Sequence, residues 1–169
     1  GKVAINFGGV KNIFGAFYQP KAVLIDAETL SSLPDRQIQN GLMEALKSGA
    51  IRDRELFEMF ENTENPDITQ IIYKSLTVKK KVVENDEKEK GERMLLNFGH
   101  TIGHGLEIAA DGKLFHGEAV ALGMYLISGE DLRERLKKIY ISLGMWENLK
   151  TVYTDIISNK ADRIKSAIL

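Results

Sequence analysis

The hydrophobic periodicity of this chain changes once, near Pro34, and that change limits it to two kinds of structure. Up to Asp26 the apolar residues come in short β-favouring runs, Lys2-Val3-Ala4-Ile5-Asn6 and Lys21-Ala22-Val23-Leu24-Ile25-Asp26, separated by a glycine- and aromatic-rich loop from Phe7 to Pro20. Two strands alone cannot bury both faces, so they are expected to belong to a sheet completed elsewhere. After Pro34 the spacing is helical. Ile38, Leu42, Ala45, Leu46 and Gly49 form one stripe, and Ile68, Ile71, Ile72, Leu76, Val82 and Val83 form a second behind the start signal Pro66-Asp67. Further helices are expected from about Leu95 to Ala110, from about Gly117 into Lys138, from about Trp146 to Ile157, and at the C-terminus.

The 169 residues suffice for one buried core. With 23 basic and 24 acidic residues the net charge is -1, which gives no general attraction to a polyanion and argues against a nucleic-acid partner. No apolar run approaches membrane length, and Gly1-Lys2-Val3-Ala4-Ile5-Asn6 has neither an initiator Met nor a signal-peptide pattern, so the chain is expected to be a piece of something longer. Cysteine is absent, which fits a reducing cytoplasm and leaves only nitrogen and oxygen ligands for any metal.

All three histidines fall within seventeen residues, in Asn97-Phe98-Gly99-His100-Thr101-Ile102-Gly103-His104 and Phe115-His116-Gly117-Glu118. Imidazole is both the commonest metal ligand and the usual proton carrier near neutral pH, so a site is expected here. On a helix His100 and His104 lie one turn apart and face a common centre, with Glu107 extending that face. Gly99, Gly103 and Gly105 each cost about 1 kcal/mol relative to Ala in a helix. They imply either tight helix packing or a ligand pressed against the backbone. His116 stands at the entrance of the next helix, where Glu118 in the first turn suits the helix dipole. A catalytic divalent metal would still want a carboxylate, and Glu44 is one candidate among many acids. The charge-dense stretch Glu84 to Arg93 reads as a solvated turn, and Lys79-Lys80-Lys81 as a solvated helix face.

Longer motifs narrow these alternatives. Lys21 to Asp26 with Thr29-Leu30-Ser31-Ser32-Leu33-Pro34, then Gly41-Leu42-Met43-Glu44-Ala45-Leu46-Lys47, Asp86-Glu87-Lys88-Glu89, Leu96 to His104, and His116-Gly117-Glu118-Ala119-Val120-Ala121-Leu122-Gly123-Met124 resemble the 3-dehydroquinate synthases, over roughly residues 1 to 126. The resemblance implies a mainly α fold: a multi-helical, metal- and substrate-binding C-terminal domain at 34–169, preceded by a strand-loop-strand junction at 1–33. The leading strands would belong to that junction or to a Rossmann-like N-terminal half that binds NAD. The active site would lie in the cleft between the halves.

By the same resemblance, Zn²⁺ (Co²⁺ being possible) is held by Glu44, His100 and His116, and His104 acts as a base rather than a ligand. Lys47, Lys79, Arg93 and Asn97 match substrate-binding positions, Arg93 being suited to a carboxylate through its planar fork. Lys2 and Asn12 match residues near cofactor and substrate. Lys2, Lys11 and Thr29, Leu30, Ser31 and Ser32 match the part of the NAD site outside the Rossmann half. The implied enzyme is a cytoplasmic, homodimeric lyase of the shikimate pathway, converting the phosphorylated sugar acid 3-deoxy-D-arabino-heptulosonate 7-phosphate to 3-dehydroquinate and phosphate. NAD is consumed and regenerated within each turnover.

Val3, Gln37 and Ser48 depart from the usual Thr, Glu and aromatic residue, and the tail around Lys160, a candidate phosphate ligand, is contracted. Two other readings are another sugar phosphate cyclase, of the 2-deoxy-scyllo-inosose synthase kind, and a catalytically silent helical domain that binds metal or a partner. Without most of the NAD contacts, these residues by themselves are expected to show no turnover.

Overall fold

A computed structural model of the chain describes residues 2–8, 10–62, 67–160 and 162. Strands β1 (Lys2–Phe7) and β2 (Val10–Phe17) form an antiparallel hairpin in which Lys2 pairs with Phe17 and Ile5 with Phe14. Gly8 adopts φ +60° in the connecting turn, a conformation that glycine enters without a Cβ penalty. The second strand therefore falls inside the stretch expected to be a loop. The run Lys21 to Asp26, expected to be that strand, has no regular structure, and its Leu24 is 97 % exposed. Its side chains favour β structure, but no described strand lies beside it, whereas β1 finds a partner within a tight turn.

A 3-10 helix at Ala27–Ser32 leads to Pro34, whose carbonyl accepts from the backbone N–H groups of Gln37 and Ile38 and opens α1 (Asp35–Arg52). Helix α2 (Arg54–Asn62) follows Asp53, whose carboxylate accepts from the Leu56 N–H. Helix α3 (Ile68–Asn85) begins at the expected place, capped by Asp67 through the N–H groups of Thr69 and Gln70. The helix expected from Leu95 is shorter: a 3-10 turn at Glu92–Asn97 is separated from α4 (His100–Ala109) by Gly99, at φ +77°. The helix expected from Gly117 into Lys138 is two, α5 (His116–Ile127) and α6 (Glu130–Ser142), broken at Ser128-Gly129. Helix α7 (Trp146–Asn159) completes the described set, and the helix expected at the C-terminus lies outside the described residues.

Helix α5 is apolar almost all round, the pattern of a helix buried on every side, and it packs against α1, α4, α6 and α7. Its Ala119, Val120, Ala121, Leu122 and Met124 are buried with Met43, Leu46, Leu106, Leu136, Ile139, Tyr140, Leu149 and Ile156. At Gly123 and Gly103 the approach of α4 to α5 is limited by main chain. A Cβ added at Gly123 would stand 1.9 Å from the Gly99 carbonyl oxygen, and one at Gly103 would stand 3.0 Å from the Ala119 oxygen. Of the two readings of Gly99 and Gly103, the fold selects tight helix packing. No helix among the described residues is long and apolar enough to cross a membrane.

Candidate metal centre and its cleft

Three helices bring the site together. Helix α1 contributes Glu44, α4 contributes His100 and His104 one turn apart, and the first residue of α5 is His116. The imidazole ring centres lie 5.2 to 5.6 Å apart, and one nitrogen from each histidine falls within 4.8 Å of the others. Glu44 Oε1 is 3.4 Å from His100 Nε2 and 3.4 Å from His116 Nε2. Neither approach has hydrogen-bond geometry, so Oε1 is a buried oxygen with no donor. Glu44 Oε2 accepts from Lys47 Nζ at 2.5 Å, and Lys47 is 4 % exposed.

Electrostatics at Glu44 are lopsided. Burial opposes its charge, but the two imidazoles and the Lys47 ammonium prevail and hold the carboxyl well below the usual carboxylate range. Burial pulls the Lys47 ammonium below its ordinary value, against the pull of Glu44, and Lys79 pushes the same way as burial. The His116 imidazole holds its proton more tightly than usual because Glu44 lies beside it; burial opposes this, and Glu107 adds to it. His116 Nδ1 is 3.0 Å from Glu107 Oε2, and His100 Nδ1 is 3.2 Å from the Phe98 carbonyl oxygen.

The α5 entrance that presents His116 is tied to α1 through two α1 side chains, Arg36 and Asn40, that no motif in the sequence singled out. Arg36 grips buried Glu118 with two nitrogens, at 2.7 and 2.8 Å, donates to the Lys113 carbonyl, and stacks 4.3 Å over the Phe115 ring. Glu118 also accepts from the Phe115 N–H, and Asn40 Oδ1 accepts from the Gly117 N–H at 2.6 Å. Glu118 thus serves its helix start as expected, but with a partner from α1. Asp86 organises the charged stretch that reads as a solvated turn, its carboxylate accepting from the N–H groups of Lys90, Gly91 and Arg93.

The cluster opens into a cleft of about 780 Å³. Glu44, Lys47, Ser48, Lys79, Glu89, Arg93, Asn97, His100, His104 and His116 form its polar lining, and Leu30, Leu33, Ile38, Leu42, Ile68, Ile72 and Leu76 its apolar wall. Lys79, remote in sequence from the histidines, therefore reaches the same space. Arg93 is buried and donates to the Glu87 carbonyl, and Asn97 Nδ2 donates to Glu89 at 2.9 Å. Among the expected cofactor residues Leu30 lines the cleft. The hydroxyls of Thr29, Ser31 and Ser32 donate to carbonyls of their own 3-10 segment. The side chains of Lys2, Lys11 and Asn12 lie outside the described residues. Lys160 does not line the cleft and pairs with Asp111 at 2.8 Å.

The chain is similar to known proteins in sequence and in fold. Residues 41–166 match the family model described as 3-dehydroquinate synthase C-terminal, and residues 1–40 match the one described as 3-dehydroquinate synthase N-terminal. The 3-dehydroquinate synthase of Clostridium perfringens is 48% identical over 134 residues, covering 76% of this chain and 38% of the relative. That of Acetivibrio thermocellus is 40% identical over 176 residues, covering 95% and 49%. The chain thus spans half or less of the length of these relatives. Among solved structures, 2-epi-5-epi-valiolone synthase from Streptomyces hygroscopicus, with NAD⁺ and Zn²⁺ bound, aligns at TM-score 0.76 and 25% identity, covering 93% of this chain and 51% of that one. A 2-deoxy-scyllo-inosose synthase complexed with carbaglucose-6-phosphate, NAD⁺ and Co²⁺ aligns at TM-score 0.70 and 26% identity, covering 99% and 48%.

Proposed function

The chain belongs to the 3-dehydroquinate synthase family, and from that premise we propose that it is the metal- and substrate-binding portion of an enzyme converting 3-deoxy-D-arabino-heptulosonate 7-phosphate to 3-dehydroquinate and phosphate. The carrying observation is Glu44 Oε1, a buried oxygen without a donor, equidistant from two imidazole Nε2 atoms. One carboxylate and two imidazoles with room for substrate suit a zinc-like divalent cation, so the residues fit the metal. Glu44, His100 and His116 hold it, and His104, exposed toward the cleft, is left to exchange protons. When bound, such an ion supplies Lewis acidity to a substrate hydroxyl, and a nicotinamide dinucleotide supplies reversible hydride acceptance.

The chain's own residues bind and orient a polyanionic substrate. Lys47, Lys79 and Arg93 converge on the cleft although the chain's net charge is only -1. Arg93 offers a planar fork to a carboxylate, Lys47 and Lys79 offer point charges to phosphate or hydroxyl oxygens, and Asn97 offers an amide. His104 accepts a proton at a ring nitrogen from the substrate and returns it to the leaving oxygen. For the dinucleotide this chain offers only a limited fit, the apolar wall at Leu30 and Leu33, so no hydride step is assigned to its residues. The rest of that site is proposed on the N-terminal half of the whole enzyme, a cytoplasmic homodimeric lyase of the shikimate pathway.

One solved neighbour, a 2-deoxy-scyllo-inosose synthase, is complexed with carbaglucose-6-phosphate, which keeps a related cyclase as the second reading. Identities of 40% and 48% to dehydroquinate synthases, against 25% and 26% to the two solved neighbours, favour the first. The test combines a product assay on the whole protein, with both sugar phosphates, and metal analysis of single variants. Dehydroquinate formation is expected, with zinc lost in Glu44→Ala, His100→Ala and His116→Ala and retained in His104→Ala. Cyclisation of a hexose phosphate alone overturns the substrate, and full zinc content in Glu44→Ala overturns the ligand set.

A further inference from the structure

The two proposed imidazole ligands are held differently on their outer sides. His100 Nδ1 faces the Phe98 carbonyl, a main-chain acceptor two residues away on the approach to its own helix. His116 Nδ1 faces the Glu107 carboxylate, which comes from another helix, α4, one turn beyond His104. A carbonyl oxygen and an ionised carboxylate accept hydrogen bonds and cannot donate them, so each fixes its histidine with the proton on Nδ1 and the lone pair on Nε2. Both Nε2 atoms then present lone pairs to the space beside Glu44 Oε1. His116 needs this support more. It is the first residue of its helix, its side chain is 41 % exposed, and that of His100 is 16 % exposed.

The structure assigns to Glu107 the role of a positioning residue, which fixes the tautomer and ring orientation of His116 so that Nε2 points at the metal centre without Glu107 binding the ion itself. An outer carboxylate on a ligating imidazole both orients the ring and makes its lone pair more basic, and its loss typically weakens metal binding roughly 10- to 100-fold. The location also links helices: α4 supplies His100, His104 and the brace for His116, so one helix sets the attitude of all three rings.

This inference rests on reading the cluster as a metal site, and the experiment separates the two. Zinc affinity of the whole protein is measured by chelator competition for the native sequence, Glu107→Ala, Glu107→Gln and His116→Ala, with circular dichroism reporting folding of each. His116→Ala is expected to lose stoichiometric zinc; if it keeps it, the metal reading itself fails. Glu107→Ala is expected to reach full stoichiometry at saturating zinc with affinity reduced roughly 10- to 100-fold, and Glu107→Gln, which keeps a neutral acceptor, to recover most of that loss. Unchanged zinc affinity in Glu107→Ala overturns the assignment. So does complete loss of zinc in Glu107→Ala, which makes Glu107 a ligand, and so does a Glu107→Gln variant no better than Glu107→Ala.

Discussion

Arg36 and Glu118, 82 residues apart in sequence, form a two-pronged ion pair in which the carboxylate is buried while the guanidinium stays half exposed. The pair joins the first turns of α1 to the first turn of α5, so it sits between the helix that carries Glu44 and the residue, His116, that faces it.

Removing the exposed member should therefore strand the buried one. Arg36→Met is expected to destabilise the fold by about 2 kcal/mol, less than for a fully buried pair because solvent screens the guanidinium. Adding Glu118→Gln should recover part of that loss. Urea unfolding of the single and double variants measures both. A single variant within about 0.5 kcal/mol of the native sequence means that the clamp contributes little.

Stability of the metal-stripped protein should peak between two limbs of a pH curve. The folded His116 imidazole holds its proton more tightly than the unfolded chain does, so its contribution is present at acid pH and is lost as pH rises through the imidazole range and beyond. Glu44 works oppositely: its carboxyl is depressed in the folded state, so its contribution is present above the usual carboxylate range and fades as pH falls below it. Melting temperatures with excess chelator should fall from about pH 6 to pH 9, and His116→Gln should flatten that limb. A slope identical in the variant excludes His116 as its source.

Two glycine substitutions should have opposite outcomes. Gly41 lies inside α1 with nothing within 4 Å of an added Cβ, so Gly41→Ala should stabilise the fold by about 0.5 to 1 kcal/mol through helix propensity. At Gly123 the added carbon meets the Gly99 carbonyl, and Gly123→Ala should cost about 3 kcal/mol or more, or prevent folding. Thermal unfolding compares them, and a Gly123→Ala protein as stable as the native one contradicts the packing.

The two cleft lysines should separate binding from scaffold. Lys79 is exposed, so Lys79→Ala should leave stability within about 0.5 kcal/mol while raising KM about tenfold. Lys47 is buried against Glu44, so Lys47→Met should lower both stability and kcat. Steady-state kinetics with parallel unfolding curves decides, and a Lys79→Ala enzyme with native KM removes Lys79 from substrate binding.

The helical stripes after Pro34 and the Asp67 cap were legible because an amphipathic helix writes its buried face into its own sequence at a fixed spacing. The second strand lies earlier than the β-favouring run predicts because pairing depends on a neighbour: Lys21 to Asp26 has β-favouring side chains but no described strand beside it, while the aromatic stretch behind Gly8 does pair. The histidine cluster located the candidate site by local spacing. Glu44 could be chosen from the other acids only through the longer motifs, since nothing near it in sequence records that α1 will lie against α4 and α5. Arg36 and Asn40 were illegible as site residues for the same reason, their partners being set by tertiary approach, whereas Glu107 was legible on the histidine face but its contact with His116 was not.

At Gly123 the backbone of α5 lies against the Gly99 carbonyl with no room for a side chain between them. A spacing filled by side chains can be retuned by a single methylene, whereas one fixed by main-chain atoms has only one width. The interval between His100 on one helix and His116 on the other is thus insulated from ordinary drift in the core. Substitution in the surrounding apolar residues can soften the domain without regrading the bite of the proposed ligands, so that variation at this junction should register as presence or loss of the ion rather than as a graded series of affinities.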